Sequence, residues 1–204
     1  MLYSVDHSPE LRRKKILSDD EVIQSVLQGR TQDFEILVER YKKRIINFIN
    51  KMIYDYDESQ NISQDVFLKV FENLKQYRMQ DTFSAFIFTV AKNMTFNYLK
   101  RRKRVVFFSS FLSKDAENRY FRTDHDPAST ARENQAQEQL LAALRQLKED
   151  QRLALVLKVY NDYSYRQIGA ITGWSVPKIE TLISRARDNL KDIILMQEKG
   201  GLHV

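Results

Sequence analysis

The sequence predicts an all-α protein with two small helical domains, an N-terminal helical bundle and a C-terminal helix-turn-helix domain, joined by a flexible linker. Only 5 Gly and 3 Pro occur in 204 residues, which disfavours a turn-rich β fold. Apolar residues recur at helical spacing over most of the chain. Two basic blocks flank a slightly acidic middle, as expected for two domains and a connector.

The N-terminal domain is predicted over residues 18–108, after a polar tail over residues 1–17. Ser18 stands before three acidic residues, which is typical of a helix N-cap, and Gly29 ends this first helix. Apolar stripes then predict three further helices, over residues 34–52, 62–77 and 84–104.

The middle of the chain is predicted to be a linker. Residues 109–135 are rich in Ser, Asp, Asn and Thr, contain Pro127 and show no sustained period. Several large aromatic residues interrupt this segment, which indicates that part of it lies against a surface. The C-terminal domain is predicted over residues 136–198, followed by a short tail over residues 199–204.

The most specific pattern is a helix-turn-helix. Ser164 and Ser175 are predicted N-caps, Gly173 suits a left-handed turn, and Ala170 is small where the two helices approach. The buried stripe of the second helix is Ile179, Leu182, Ile183 and Ala186. Its outer face presents Lys178, Glu180, Thr181, Ser184, Arg185 and Arg187. Such a face neutralises phosphates and reads base edges, although an ordinary helical hairpin with a solvated charged face shows the same spacing.

A second basic feature ends the fourth helix. Five consecutive cations occupy residues 100–104. One or two cations suffice to interact with the negative end of a helix, and five repel one another unless a polyanion is near, which favours a phosphate track. Aromatic residues alternate with amides and cations over residues 76–97, a pattern that suits unstacked bases. We expect Phe86 to be buried and a base to dock on the loop from Met79 to Ser84.

Composition and motifs exclude several classes of function. The net charge of +6 suggests a polyanionic partner. The absence of cysteine excludes disulfides, thiolate zinc sites and a Cys nucleophile. The three histidines pair with no carboxylate at metal-ligand spacing, and no Gly-rich phosphate loop or nucleophile elbow occurs. The start of the chain is polar, and its longest apolar run is far shorter than a membrane span. We therefore expect a cytoplasmic protein without enzymatic activity, cofactor, metal or membrane insertion.

Seven short segments, in this order and at this spacing, resemble one family. They are residues 18–23 (SDDEVI), 64–71 (QDVFLKVF), 83–93 (FSAFIFTVAKN), 97–102 (NYLKRR), 147–152 (LKEDQR), 165–169 (YRQIG) and 184–187 (SRAR). The chain thereby resembles bacterial RNA polymerase sigma factors of the extracytoplasmic-function (ECF) group. The sequence differs from the usual family pattern at Asn61, where an acid is common, and at Phe86, where Trp is common.

The resemblance implies an initiation factor that acts with core RNA polymerase. The N-terminal domain would bind the clamp helices of the β′ subunit and capture the melted minus-ten strand. The C-terminal domain would bind the β flap and the duplex minus-thirty-five element. Such proteins do no chemistry of their own and are often held inactive by an anti-sigma factor.

The resemblance also implies a site for each partner. The polymerase contacts fall on Asn61, Gln64, Asp65, Leu68, Lys69 and Glu72. The minus-ten contacts fall on the loop Met79, Gln80, Asp81, Thr82, Phe83 and Ser84, and on Lys92, Asn93, Asn97, Lys100 and Arg101. The minus-thirty-five contacts fall on Arg166, Ser175, Lys178, Thr181, Ser184, Arg185 and Arg187.

Two other hypotheses remain open from the residues alone. An autonomous helix-turn-helix regulator would use the N-terminal bundle to sense or to dimerise, and would protect duplex DNA without polymerase. A helical protein-interaction module would have basic patches that are only solvated, and its binding would be insensitive to salt, unlike a phosphate contact.

Overall fold

The computed structural model describes residues 17–78, 82–112 and 140–200, with side chains excluded for residues 105–112 and 198–200. Within these ranges all regular structure is helical and no strand occurs, which confirms the all-α prediction. The N-terminal half, residues 17–112, contains four α-helices. They are α1 (Asp19–Leu27), α2 (Phe34–Ile53), α3 (Tyr56–Glu72) and α4 (Phe83–Leu112).

The first helix begins as predicted. Ser18 accepts a hydrogen bond from the backbone N–H of Glu21, and the Glu21 carboxylate accepts one from the backbone N–H of Ser18, at 2.6 Å. This reciprocal pair satisfies two of the N–H groups that a helix start leaves without partners. Val22 and Ile23 on the opposite face are fully buried.

The third helix begins earlier than its apolar stripe. Tyr54 closes α2 in a left-handed conformation (φ 58°), and Asp55 then caps α3 by accepting from the Glu58 backbone N–H at 3.0 Å. The prediction started this helix at Ile62 because its first turns, residues 56–61, are mostly polar and show no apolar stripe. Capping by Asp55, rather than hydrophobic periodicity, marks the true start.

The fourth helix runs further than predicted. It continues past Arg104 to Leu112, into the segment predicted as linker from residue 109. The cationic run gives no apolar stripe, but Lys and Arg have high helix propensity and allow the helix to continue. The rest of the predicted linker, residues 113–135, lies outside the described residues.

The C-terminal half, residues 140–200, is built from shorter helices. They are α5 (140–146), α6 (Glu149–Leu155), α7 (Tyr165–Thr172) and α8 (Val176–Gly200). One turn of π-helix, Val156–Tyr160, follows α6 directly. The apolar spacing of Leu153, Leu155 and Val156 predicts that Val159 and Tyr160 continue the buried stripe, but the wider turn shifts the helical period and leaves them 56% and 39% exposed.

The helix-turn-helix forms as predicted, with one correction. Ser164 and Gln167 make a second capping box, and Gly173 adopts the left-handed conformation (φ 76°) between the helices. Ala170 is exposed and is not where the helices approach. That position belongs to Gly169, where an added Cβ would lie 3.1 Å from the Trp174 carbonyl oxygen.

Both halves contribute to one hydrophobic core. Phe48, Ile49 and Phe88 of the N-terminal half belong to the same buried cluster as Leu157 and Ile168 of the C-terminal half. Helix α7 packs on α4, and the π-helical turn packs on α2. The predicted domain boundaries therefore separate two sequence regions that are in direct contact.

Candidate polymerase and nucleic-acid interfaces

The predicted polymerase contacts form one continuous face of α3. All six side chains are exposed, and their spacing of three and four residues places them along one side of the helix. They are Asn61, Gln64, Asp65, Leu68, Lys69 and Glu72. Lys69 and Glu72 form an exposed ion pair at 3.1 Å, and the Asn61 amide donates to the Glu58 carboxylate at 3.2 Å. The face is mixed in charge and has an apolar residue at its centre.

An apolar groove adjoins this face, between α2 and α3. Its volume is about 460 Å³. Phe34, Val38 and Ile46 line it from α2, together with Phe67, Leu68 and Phe71 from α3. Leu68 is 63% exposed and Phe71 40%, although the Phe71 ring packs edge-on against Phe34 with centroids 5.1 Å apart. Exposed apolar side chains that line a groove beside polar ones are typical of a protein-binding surface. The groove is not evident from the sequence because its two walls are separated along the chain.

The predicted duplex contacts of the N-terminal half lie along α4. Asn93, Asn97, Lys100 and Arg101 are exposed at the spacing of one helix face. Lys92 is half-buried, and this burial lowers the pKa of its ammonium group. The two amides and two exposed cations can contact the edges and phosphates of a nucleic acid.

The five consecutive cations of α4 are not equivalent. Arg102 is half-buried and donates to the carbonyl oxygen of Ile53 at 3.4 Å. Lys103 forms an ion pair with Glu149 of the C-terminal half at 2.8 Å. Lys100, Arg101 and Arg104 are exposed. The predicted phosphate track is therefore reduced from the whole run to Lys100, Arg101 and Arg104.

The predicted strand-capture loop is described only at its end. Met79, Gln80 and Asp81 lie outside the described residues. Thr82 is exposed, and its hydroxyl accepts from the backbone N–H of Ala85 at 3.3 Å at the start of α4. Phe83 is only 2% exposed. Its ring packs edge-on against Tyr41 at 5.2 Å, so Phe83 supports the loop from the core and does not itself present a contact.

The burial of Phe83 and Phe86 is the reverse of what the sequence predicts. Phe86 was expected to be buried, but it is half-buried and its ring lies 5.6 Å from that of the half-buried Tyr77. The Tyr77 hydroxyl donates to the Asp20 carboxylate at 2.8 Å, which fixes this ring beside the loop. The two rings supply the aromatic surface that the pattern over residues 76–97 predicted. Periodicity alone does not distinguish Phe83 from Phe86, because they are three residues apart on one helix.

The outer face of α8 is as predicted. Ile179, Ile183 and Ala186 are buried, and Leu182 is half-buried. All seven predicted minus-thirty-five contacts are exposed, on α7, the turn or α8. They are Arg166, Ser175, Lys178, Thr181, Ser184, Arg185 and Arg187. The Lys178 ammonium lies 4.5 Å from the centroid of the Trp174 ring, and this contact positions it at the start of α8.

No helix in the described ranges has the length and apolar character needed to cross a membrane. The same residues contain no cluster of three or more His, Cys, Asp or Glu side chains suited to a metal ion. The three histidines of the sequence lie outside the described residues.

Comparison with known proteins identifies the class to which these surfaces belong. Residues 37–105 match the family Sigma-70 region 2, and residues 137–190 match Sigma-70, region 4. The first match covers most of α2 to α4, and the second covers the helix-turn-helix. The chain belongs to the sigma-70 family of RNA polymerase sigma factors.

Related sequences and folds agree with this assignment. The chain is 27% identical to RNA polymerase sigma-H factor of Pseudomonas aeruginosa over 176 residues, which cover 83% of this chain and 90% of that protein. It is 24% identical to ECF RNA polymerase sigma-E factor of Escherichia coli, over 84% of this chain and 92% of that protein.

Two solved structures share the fold. One is the sigma factor RpoE in complex with the anti-sigma factor NepR from Bartonella quintana (TM-score 0.65, 21% identity, 80% of this chain and 97% of that chain). The other is CnrH in complex with the cytosolic domain of CnrY (TM-score 0.63, 20% identity, 85% and 94%). The sigma-factor hypothesis is confirmed, and the chain is a promoter-directing factor for RNA polymerase rather than an autonomous regulator.

Proposed function

We propose that each of the three exposed surfaces binds its own ligand during promoter recognition. The α3 face and its apolar groove bind the clamp helices of the polymerase β′ subunit. The α4 face, with the loop before it, captures the melted minus-ten strand and the adjoining duplex. The α8 face reads the minus-thirty-five element in the major groove, and the C-terminal half also contacts the β flap.

The main support for this proposal is that the exposed faces differ in the types of residue they present. Apolar side chains are exposed at the α3 groove, where a protein partner would remove them from water. Amides, hydroxyls and cations occupy the faces of α4 and α8, where phosphates and base edges are the expected ligands. Phe86 and Tyr77 offer half-buried rings on which an unstacked base can rest.

Run-off transcription tests the function as a whole. Purified bacterial core polymerase is given a genomic promoter library with and without this protein. We expect new start sites that depend on it, with two common sequence elements upstream of each start. No new start sites, together with no retention of core polymerase in a pull-down, would contradict the proposal.

A double substitution tests the phosphate track separately. Lys100→Ala with Arg101→Ala removes two solvated cations and leaves the Arg102 contact to Ile53 intact. Because each released phosphate contact contributes about one unit to the salt slope, open-complex formation should become weaker and less salt-dependent by roughly two units. The control is Lys43→Ala with Lys191→Ala, which removes the same charge from exposed positions elsewhere. An unchanged slope in the test variant, or an equal loss in the control, would make the track merely structural.

We also propose how the chain contributes to initiation, where it acts and what regulates it. The chain contributes binding energy and specificity and no catalytic group, and it acts in the cytoplasm with the polymerase. An anti-sigma partner is expected because RpoE and CnrH of similar fold are found in complexes with NepR and CnrY. A pull-down from the native source, followed by release of transcription when the captured protein is removed, tests this last expectation.

A further inference from the structure

The first turn of α1 is acidic, and its carboxylates contact other elements of the N-terminal half. Glu21 belongs to the capping box, whereas Asp19 and Asp20 each accept a hydrogen bond from a tyrosine hydroxyl of another element. Tyr41 of α2 donates to the Asp19 carboxylate, and Tyr77 donates to the Asp20 carboxylate at 2.8 Å. Two adjacent residues of α1 therefore hold two aromatic side chains that lie far apart in the chain.

Both tyrosines pack against the same buried ring. Phe83, the first residue of α4, lies edge-on to Tyr41 with ring centroids 5.2 Å apart, and edge-on to Tyr77 with centroids 5.9 Å apart. The Phe86 ring lies 5.6 Å from that of Tyr77 and 6.3 Å from that of Phe83. The four rings form one cluster at the strand-capture loop. Tyr41 and Phe83 are its buried side, and Tyr77 and Phe86 are its half-buried side.

The two tyrosines differ in how firmly the rest of the fold holds them. Tyr41 is only 7% exposed and lies within α2, so the core and the helix already fix its ring. Tyr77 follows the short turn Leu74–Gln76 in extended backbone (φ −63°, ψ 131°). A half-buried ring outside a helix keeps more rotamer freedom than a buried one, and that freedom is lost when a base stacks on it. The hydrogen bond to Asp20 removes part of this freedom in advance.

Helix α1 lies outside the segment that matches the family. The match to Sigma-70 region 2 begins at residue 37, after the whole of α1. Asp20 is half-buried, and α1 packs on the turn that precedes Tyr77. A hydroxyl that donates to a carboxylate forms a charge-assisted hydrogen bond, which is stronger than one between neutral groups. The first turn of α1 therefore fixes the Tyr77 ring from outside the matched region.

We propose that Asp20 is a positioning residue for capture of the melted minus-ten strand, because it holds the Tyr77 ring beside Phe86 before the strand binds. This inference rests on the proposed function, in which these two rings carry an unstacked base. A preformed pair of rings binds a base without first ordering a side chain, so the hydrogen bond should raise the affinity for the melted strand. Affinity for core polymerase and for upstream duplex should not depend on it, because those surfaces lie on α3 and α8.

Binding of the holoenzyme to forked DNA tests this role. The probe is a promoter fragment from a start site found by run-off transcription, with its minus-ten segment single-stranded. Asp20→Ala should weaken binding of this probe by about 3–10-fold, which corresponds to the cost of ordering one side chain. Tyr77→Phe removes the hydroxyl, keeps the ring and should have the same effect. Asp20→Asn keeps an acceptor oxygen for the Tyr77 hydroxyl and should restore most of the affinity.

A double-mutant cycle and a matched control separate positioning from a general loss of stability. If Asp20 acts through the Tyr77 hydroxyl, Asp20→Ala combined with Tyr77→Phe should bind no more weakly than either single variant, and additive losses would overturn the proposal. Glu21→Ala removes another carboxylate of the same turn, whose bonds are to Ser18. It should lower thermal stability by weakening the capping box and leave binding of forked DNA unchanged. A loss equal to that of Asp20→Ala would reduce the role of α1 to stability.

Tyr77→Ala distinguishes failure of this inference from failure of the proposed function. It removes the ring and should weaken binding of forked DNA more than Tyr77→Phe does. Unchanged binding would contradict strand capture by these rings, and with it the role of Asp20. If Tyr77→Ala binds weakly while Asp20→Ala binds like the wild type, strand capture by the rings stands and the positioning role is overturned. Affinities for core polymerase and for a duplex that ends upstream of minus ten should be equal in all variants, and a parallel loss in Asp20→Ala would also overturn it.

Discussion

Helices α3 and α8 each present a face at the same three-and-four spacing, yet the two faces differ in what they leave exposed. On α3 the exposed set includes Leu68 at its centre and Phe71 beside it. On α8, over residues 178–187, Ile179, Ile183 and Ala186 are buried, Leu182 is half-buried, and the exposed side chains are all polar or charged. The proposed function thus assigns a protein-binding surface to α3 and a nucleic-acid-binding surface to α8, although both are faces of the same secondary structure.

The difference shows what the amphipathic pattern does and does not encode. A helix on the surface of a small domain needs one apolar stripe for its core. Over residues 178–187 helix α8 exposes no apolar side chain beyond that stripe, so its remaining face there is free to be cationic. Helix α3 carries two apolar residues beyond its stripe, Leu68 and Phe71, which stay exposed by 63% and 40% although Phe71 packs against Phe34. The exposed apolar residues outside the stripe, and not the stripe itself, indicate the kind of partner.

The largest expected effect concerns the buried stripe of α8. Ile183→Ala removes a side chain that is 1% exposed and should lower the free energy of unfolding by about 2–5 kcal/mol. Denaturant unfolding measures it. The neighbouring Ser184→Ala is exposed and should change stability by no more than about 0.5 kcal/mol. Equal effects at both positions would show that the two faces of α8 are not distinct.

The next effect separates protein binding from DNA binding. Leu68→Asp places a charge in the apolar groove and should weaken core polymerase binding by about 10–100-fold, corresponding to the loss of one central apolar anchor. The loss should change little between low and high salt, because no phosphate contact is removed. Fluorescence anisotropy with core polymerase measures both. Leu27→Asp changes another exposed leucine, which lies on α1 and is 46% exposed, and should leave affinity unaltered.

A smaller, salt-dependent loss is expected on α8. Arg185→Ala should weaken holoenzyme binding to the upstream promoter element by about 1–3 kcal/mol if the guanidinium reads a base edge. If it contacts a phosphate, the salt slope should fall by about one. Filter binding over a range of salt concentrations distinguishes the two. Lys191→Ala, further along the same helix, is the control, and unchanged promoter binding by Arg185→Ala would refute the assignment of this face.

The smallest expected effect lies in the turn between α7 and α8. Gly173→Ala has open space around its new Cβ, so its cost is the left-handed backbone alone, about 1–2 kcal/mol. Thermal unfolding should show a modest decrease in stability, with DNA affinity of the folded protein retained. A complete loss of DNA binding at unchanged stability would instead give this turn a direct role in recognition.

Local features of the fold were predictable because their causes are local. The Ser18 and Ser164 capping boxes each join residues three apart, and the left-handed turn at Gly173 depends on one residue. The outward face of α8 followed from counting positions along one helix. The start of α3 was missed because Asp55 caps a polar first turn, and the end of α4 was missed because a run of cations has no hydrophobic period.

The features of the site that could not be predicted from the sequence depend on contacts between residues that are far apart in the chain. Phe83 is buried and Phe86 half-buried because Tyr41 and Tyr77 reach them from other elements. The apolar groove exists only where α2 and α3 lie side by side. Arg102 and Lys103 leave the phosphate track because Ile53 and Glu149 are brought beside them.

The sequence by itself determined the all-α class, the Ser18 and Ser164 caps, the helix-turn-helix and the family, since these depend on residue type and spacing over a few turns. Only the tertiary structure decided which cations of residues 100–104 are paired, that Phe86 rather than Phe83 is the half-buried ring, and that Tyr163 joins the two halves. The physical reason is that burial and pairing depend on which distant elements are brought together, and periodicity along one helix carries no record of its neighbours.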